Sequence, residues 1–143
     1  MTTILDFMTE KHRACDDAFA AAEEAVSLNE WQTATEQWRL FSDELKSHLE
    51  MEELVLFPRF EEATGNSNGP TNMMRMEHQQ MLALSHQIES ALSAEQDEEF
   101  LGLSETLMVL MQQHNMKEEQ VLYPMADQSI PQAGETIEAM NKI

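Results

Sequence analysis

An eleven-residue motif occurs twice in this chain, as HLEMEELVLFP at 48–58 and HNMKEEQVLYP at 114–124. Adding 66 to 48, 52 and 58 gives 114, 118 and 124, so His, Glu and Pro recur in register. The same offset carries His12 to His78. Each half therefore holds one single histidine and, 36 residues later (48 − 12 and 114 − 78), a His-x3-Glu pair. A duplication of this kind asks for two like halves meeting about a pseudo-two-fold axis.

The apolar spacing says what those halves are. Leu5, Met8, His12, Cys15, Phe19, Ala22 and Val26 follow a three-four rhythm, as do Ala34, Trp38, Phe41, Leu45, His48, Glu52 and Val55. The second half repeats it with Met74, His78, Met81, Ser85, Ile88 and Leu92, then with Phe100, Ser104, Leu107, Met111, His114, Glu118 and Val121. Such seams mark helices that bury one face. Turn clusters at TGNSNGPT (64–71) and IPQAG (130–134) interrupt the pattern. Subtler breaks fall at SLNE, where Asn29 is a candidate cap, and at SAEQDEE, where Asp97 precedes acids suited to a helix start. The boundaries predict helices over about 3–27, 30–63, 70–94 and 97–127, and a short one over about 132–141. With only four Gly and four Pro, the chain reads as all-α. The expected architecture is an up-down-up-down four-helix bundle in a single domain, 1–143, with the bundle over about 3–127 and a tail over 128–143.

Four of the five histidines, with Glu52 and Glu118, thus fall in the seam among Phe, Leu, Met and Val. Ionisable groups in a core are costly unless paired or bound to a metal. One such histidine would be read as a hydrogen-bonded core residue; six matched residues under a repeat point to a metal centre. Residues four apart share a helix face, so His48 with Glu52, and His114 with Glu118, aim at one place. Four imidazoles and two carboxylates suit two ions, each taking both histidines of one hairpin while the glutamates bridge. An added oxide or hydroxide makes each ion five-coordinate, and an octahedral iron keeps a position open. The donor set suits iron, manganese or zinc. Glu53 and Glu119 are alternative bridges, but helix angle favours Glu52 and Glu118. Ferritin-type chemistry needs Glu-x-x-His pairs, which the chain lacks.

The other chemistry-bearing residues read as structural. His86 lies eight residues past His78, about 12 Å along a helix, too far to share an ion. Cys15 reads as a small buried hydrophobe, the twelve methionines as adaptable core filler, and Tyr123 as packing. Pro58 and Pro124 are expected to kink their helices. A formal charge of −19, from 27 acids against 8 bases, argues against nucleic-acid or anionic-membrane partners. No apolar run nears the roughly 20 residues of a membrane span. Asp6, Glu10 and Lys11 break any secretory h-region. A single cysteine excludes an intramolecular disulfide, and a reduced, cytoplasmic setting is the expectation.

The stretches EKHRACD, HLEMEELVLFP, MEHQQM and HNMKEEQVLYP resemble the hemerythrin-like, or HHE cation-binding, family over about residues 5–127. The resemblance implies a four-helix bundle around a non-haem, oxo-bridged di-iron centre. Carried over, His12, His48, His78 and His114 would be terminal ligands, and Glu52 and Glu118 the bridges. The family's oxygen carriers have a third-helix His-x3-His pair, whereas here Met74 and Leu82 stand four residues either side of His78. The four-His, two-Glu set is more similar to the branch associated with repair of iron centres under nitrosative and oxidative stress, although those proteins carry an added cysteine-containing N-terminal domain. A related iron- and oxygen-sensing branch also uses fewer histidines. The expected function is reaction with, or sensing of, a small oxidant such as dioxygen, peroxide or nitric oxide, with an unspecified electron donor or protein partner. Iron storage or donation, oxygen binding, a regulatory sensor that responds to metal occupancy, and an interaction module holding zinc or no metal are the alternatives.

Overall fold

Helix starts and stops in the computed structural model, which describes residues 2–143, follow local chemistry. Helix α1 (Ile4–Ser27) begins where Thr3 accepts from the Asp6 amide. Its first free amides, on Ile4 and Leu5, donate to Asp127 at 2.8 and 3.1 Å. That contact ties the first helix to a segment 123 residues further along the chain. Helix α2 (Trp31–Met51) leads through a π turn, Glu52–Leu56, into α3 (Phe57–Thr64). Helix α4 (Pro70–Ser93) opens on its proline, as expected, because the missing N–H lies where no intrahelical bond is made. Helix α5 (Asp97–Lys117) runs through a second π turn, Glu118–Leu122, into α6 (Tyr123–Ser129), and α7 (Ala133–Asn141) closes the chain.

The bundle is four-helical, with a short C-terminal helix, as the seams predict. Helix α1 packs on α2 and α5, while α4 packs on α5 and α2. One predicted cap is corrected. Asn29 does not cap α2; it takes the left-handed conformation (φ 57°) and Glu30 occupies the cap position. The same device recurs at Glu95 (φ 52°), and Gln96 occupies the cap position of α5.

Both π turns precede a proline, and they replace the expected simple kinks. In an uninterrupted α-helix the Pro58 ring would collide with the carbonyl of Leu54. Widening the turn relieves this, and the Phe57 amide reaches back to the Glu52 carbonyl. Tyr123 does the same to Glu118. The extra residue slips the inward face by one position. Val55 is only half-buried and Val121 is exposed, although both were predicted to end their seams; Leu56 and Leu122 are buried instead.

The core divides into two apolar clusters. One is built around Phe19, Trp38, Phe41, Ile88, Phe100 and Leu107. The other, at the π-turn end, includes Met8, Leu56, Phe57, Phe60, Leu122 and Met140, so α7 helps to cover it. Phe41 stands 5.0 Å from both the Phe19 and Trp38 rings, and Trp38 lies against Phe100. These rings join α1, α2 and α5. Phe41→Ala is expected to cost about 3–5 kcal/mol, read as a lower midpoint in denaturant with metal content unchanged. A loss under about 1 kcal/mol would show that the site collapses around the gap.

Candidate metal centre

Each histidine of the repeat is held inward by its own helix: His12 on α1, His48 on α2, His78 on α4 and His114 on α5, all at most 4% exposed. Glu52 and Glu118 open the two π turns and are fully buried. All six candidate residues meet at one level of the bundle. His12 Nε2 lies 3.1 Å from both His48 Nε2 and Glu118 Oε1. His78 Nε2 lies 3.1 Å from Glu52 Oε1, and His114 Nε2 lies 3.3 Å from Glu118 Oε2.

Two groups of residues there could hold a metal ion. Glu52, His78, His114 and Glu118 form one, and His12, His48 and Glu118 the other, with one ligand atom from each member within 4.8 Å of the rest. The imidazoles divide by hairpin, as the repeat predicts, and Glu118 belongs to both groups. A chemical test of fit comes from hydrogen bonding. Glu52 Oε1, His78 Nε2, His114 Nε2 and Glu118 Oε2 are buried without a protein hydrogen-bond partner, despite lying so close together. Leaving such a group unsatisfied costs about 1–3 kcal/mol. Lone pairs that converge without donors between them suit a cation.

The adjacent glutamates take a different part from the bridging role considered for them. Glu119 accepts from His12 Nδ1 at 2.7 Å, and Glu53 accepts from His78 Nδ1. Glu77 accepts from His114 Nδ1 at 2.8 Å and is itself fixed by Lys117. A carboxylate on Nδ1 sets the tautomer, leaving Nε2 as the inward lone pair. The π turn makes this possible, since it lets consecutive residues serve the same cluster. Glu52 points to the centre, while Glu53 reaches the back of a histidine on the other hairpin.

Tyr123 is the residue that sequence reasoning undervalued. It is fully buried, and its hydroxyl lies 2.8 Å from Glu52 Oε2 and 2.9 Å from Glu118 Oε1, with its one proton shared between the two carboxylates. It also lies 3.2 Å from His12 Nε2 and 3.4 Å from His48 Nε2. Its repeat partner is Phe57, which stacks on His78 with ring centroids 5.7 Å apart. The available signal was the hydroxyl that Tyr123 adds where its repeat partner is Phe57.

The protonation preferences follow these contacts. Burial depresses His114, but the close Glu118 carboxylate, the Glu52 charge and the bond that His114 Nδ1 gives to Glu77 carry it up to about 9. His12 and His78 are raised by similar partners against the same burial. His48 is desolvated and drops to about 3, Glu52 only partly opposing the fall. Its Nδ1 has no partner. Burial and the neighbouring Glu118 charge push Glu52 up, whereas Glu118, against its burial, is held down by its more readily protonated neighbour Glu52 and by the His114 and His12 imidazoles. Without metal the cluster therefore shares protons among its members. A cation must displace them.

His86, by contrast, is exposed and lines a groove of about 670 Å³ between α2 and α4. Cys15 is buried in the apolar cluster, and burial followed by the Glu44 and Asp16 charges pushes its thiol up to about 12. The folded protein is therefore expected to resist thiol alkylation at mildly alkaline pH, and the unfolded chain to react readily. Equal labelling of both forms, by mass spectrometry, would overturn the inert role. Among the described residues no helix is long and apolar enough to cross a membrane.

A family model described as "Hemerythrin HHE cation binding domain" matches residues 3–126. No curated protein and no solved structure matches the chain.

Proposed function

The chain belongs to the hemerythrin HHE cation-binding family, and on that premise we propose that it is a non-haem di-iron protein that reacts with or senses a small oxidant: dioxygen, peroxide or nitric oxide. The observation that carries the reading is the set of buried, unpartnered ligand atoms on Glu52, His78, His114 and Glu118, with His12 and His48 completing the layer. His12 and His48 would hold one ion, His78 and His114 the other, with Glu52 and Glu118 between them. Bound iron would supply one-electron redox chemistry and a site for a diatomic ligand.

The protein's own part is positioning and exclusion. Glu119, Glu53 and Glu77 orient three imidazoles through Nδ1. The apolar clusters on either side keep bulk water from the layer. The Tyr123 hydroxyl, held between the two central carboxylates, is the chain's one phenolic proton. A role in repairing iron centres or answering oxidative stress is consistent with this chemistry, in a reduced, cytoplasmic setting.

Iron quantified against protein purified without chelator is expected to give two ions per chain, with near-ultraviolet charge-transfer absorption on oxidation. One ion per chain, or zinc as the native metal, would overturn the proposal. Consumption of oxidant with a supplied reductant separates a reactive protein from a sensor.

A further inference from the structure

The repeat is broken at three places around the cluster, and all three weaken the same half. His114 has Glu77 behind it, locked by Lys117. The residues that the 66-residue offset places behind His48 are Lys11 and Met51. Lys11 lies instead with its ammonium over the Phe7 ring, Met51 is buried in the apolar cluster, and His48 Nδ1 is buried without a partner. Next, the Tyr123 hydroxyl sits among His12 Nε2, His48 Nε2 and Glu118 Oε1, whereas its counterpart Phe57 puts no polar atom into the other half. Finally, Glu52 Oε1 lies 3.1 Å from His78 Nε2 but 3.5 Å from His48 Nε2, so this central carboxylate leans toward the His78–His114 half.

We propose that the two metal positions differ in affinity and fill in order, His78–His114 first and His12–His48 second, leaving the latter as the exchangeable position. The proposal rests on the two-ion reading given above. A carboxylate behind a ligating histidine raises its basicity and fixes its ring, and loss of such a partner typically lowers metal affinity 10–100-fold. The first position has that support at both histidines; the second has it only at His12, from Glu119. An ion entering the second position must also displace a hydroxyl already hydrogen-bonded to both central glutamates.

Anaerobic titration of metal-free protein with ferrous ion, followed by calorimetry, tests this. The expected result is two ions bound in two resolved steps, at least about tenfold apart in affinity. Glu77→Gln is expected to weaken the first step by about 10–100-fold and close the gap, and Glu119→Gln to weaken the second and widen it. Two ions bound in one unresolved step would overturn the ordering and leave the di-iron reading standing. Glu77→Gln acting on the second step alone would reverse the assignment. A total of one ion would remove the di-iron reading itself.

Discussion

Glu118→Ala is expected to leave the purified protein with neither ion. Glu118 alone belongs to both candidate groups, with Oε1 beside His12 and Oε2 beside His114. Its removal takes a ligand from each group and leaves a gap at the centre of the polar layer. Nothing nearby can swing in, because Glu119 on the same π turn is already engaged with His12 Nδ1. Glu52→Ala is expected to fall hardest on the His78–His114 group, of which Glu52 is a member. His86→Ala is the control, since that side chain is exposed on the α2–α4 groove. It should leave metal content unchanged. Metal analysis of the three variants, with helicity checked by circular dichroism, decides the matter. Two ions retained in Glu118→Ala, or a site emptied by His86→Ala, would show that the ligands lie elsewhere.

The second large effect concerns oxygen. Reduced, iron-loaded protein opened to air is expected to oxidise and not to return its oxygen. Met74 and Leu82 stand four residues either side of His78, where a fifth imidazole would have to sit to saturate one ion. Met74 is 3% exposed and packed into the apolar cluster beside the site. Two bound irons would therefore each keep room for a small ligand, and would supply one electron apiece to dioxygen. The transfer is expected to be irreversible here because no further imidazole of the chain closes one position and holds the reduced oxygen for return. Nitric oxide, which accepts no such pair, is expected to bind the reduced ions and give nitrosyl absorption. Stopped-flow mixing with oxygen, followed by evacuation, is the measurement. Recovery of the ferrous spectrum under vacuum would restore oxygen storage as the function.

The sequence by itself determined the helices, their pairing and the six candidate residues. Three-four spacing is a property of one strip of chain on one helix, and His-x3-Glu places two side chains on one face whatever packs against it. The repeat added the two-fold relation without any coordinates. What it could not show is what crosses between hairpins. Glu53 and Glu119 follow their neighbours by a single residue, and a regular helix would turn them away. Only the π turn forced by Pro58 and Pro124, together with the approach of α4 and α1, brings them to Nδ1 of His78 and His12. The same turn moved burial from Val55 and Val121 to Leu56 and Leu122. Tyr123 is the plainest case. Its letter differs from Phe57 by one hydroxyl, and local sequence gives that hydroxyl no address. Its place between Glu52 and Glu118 exists only once four helices enclose the space, because a contact across 71 residues of chain is set by packing and not by helical periodicity.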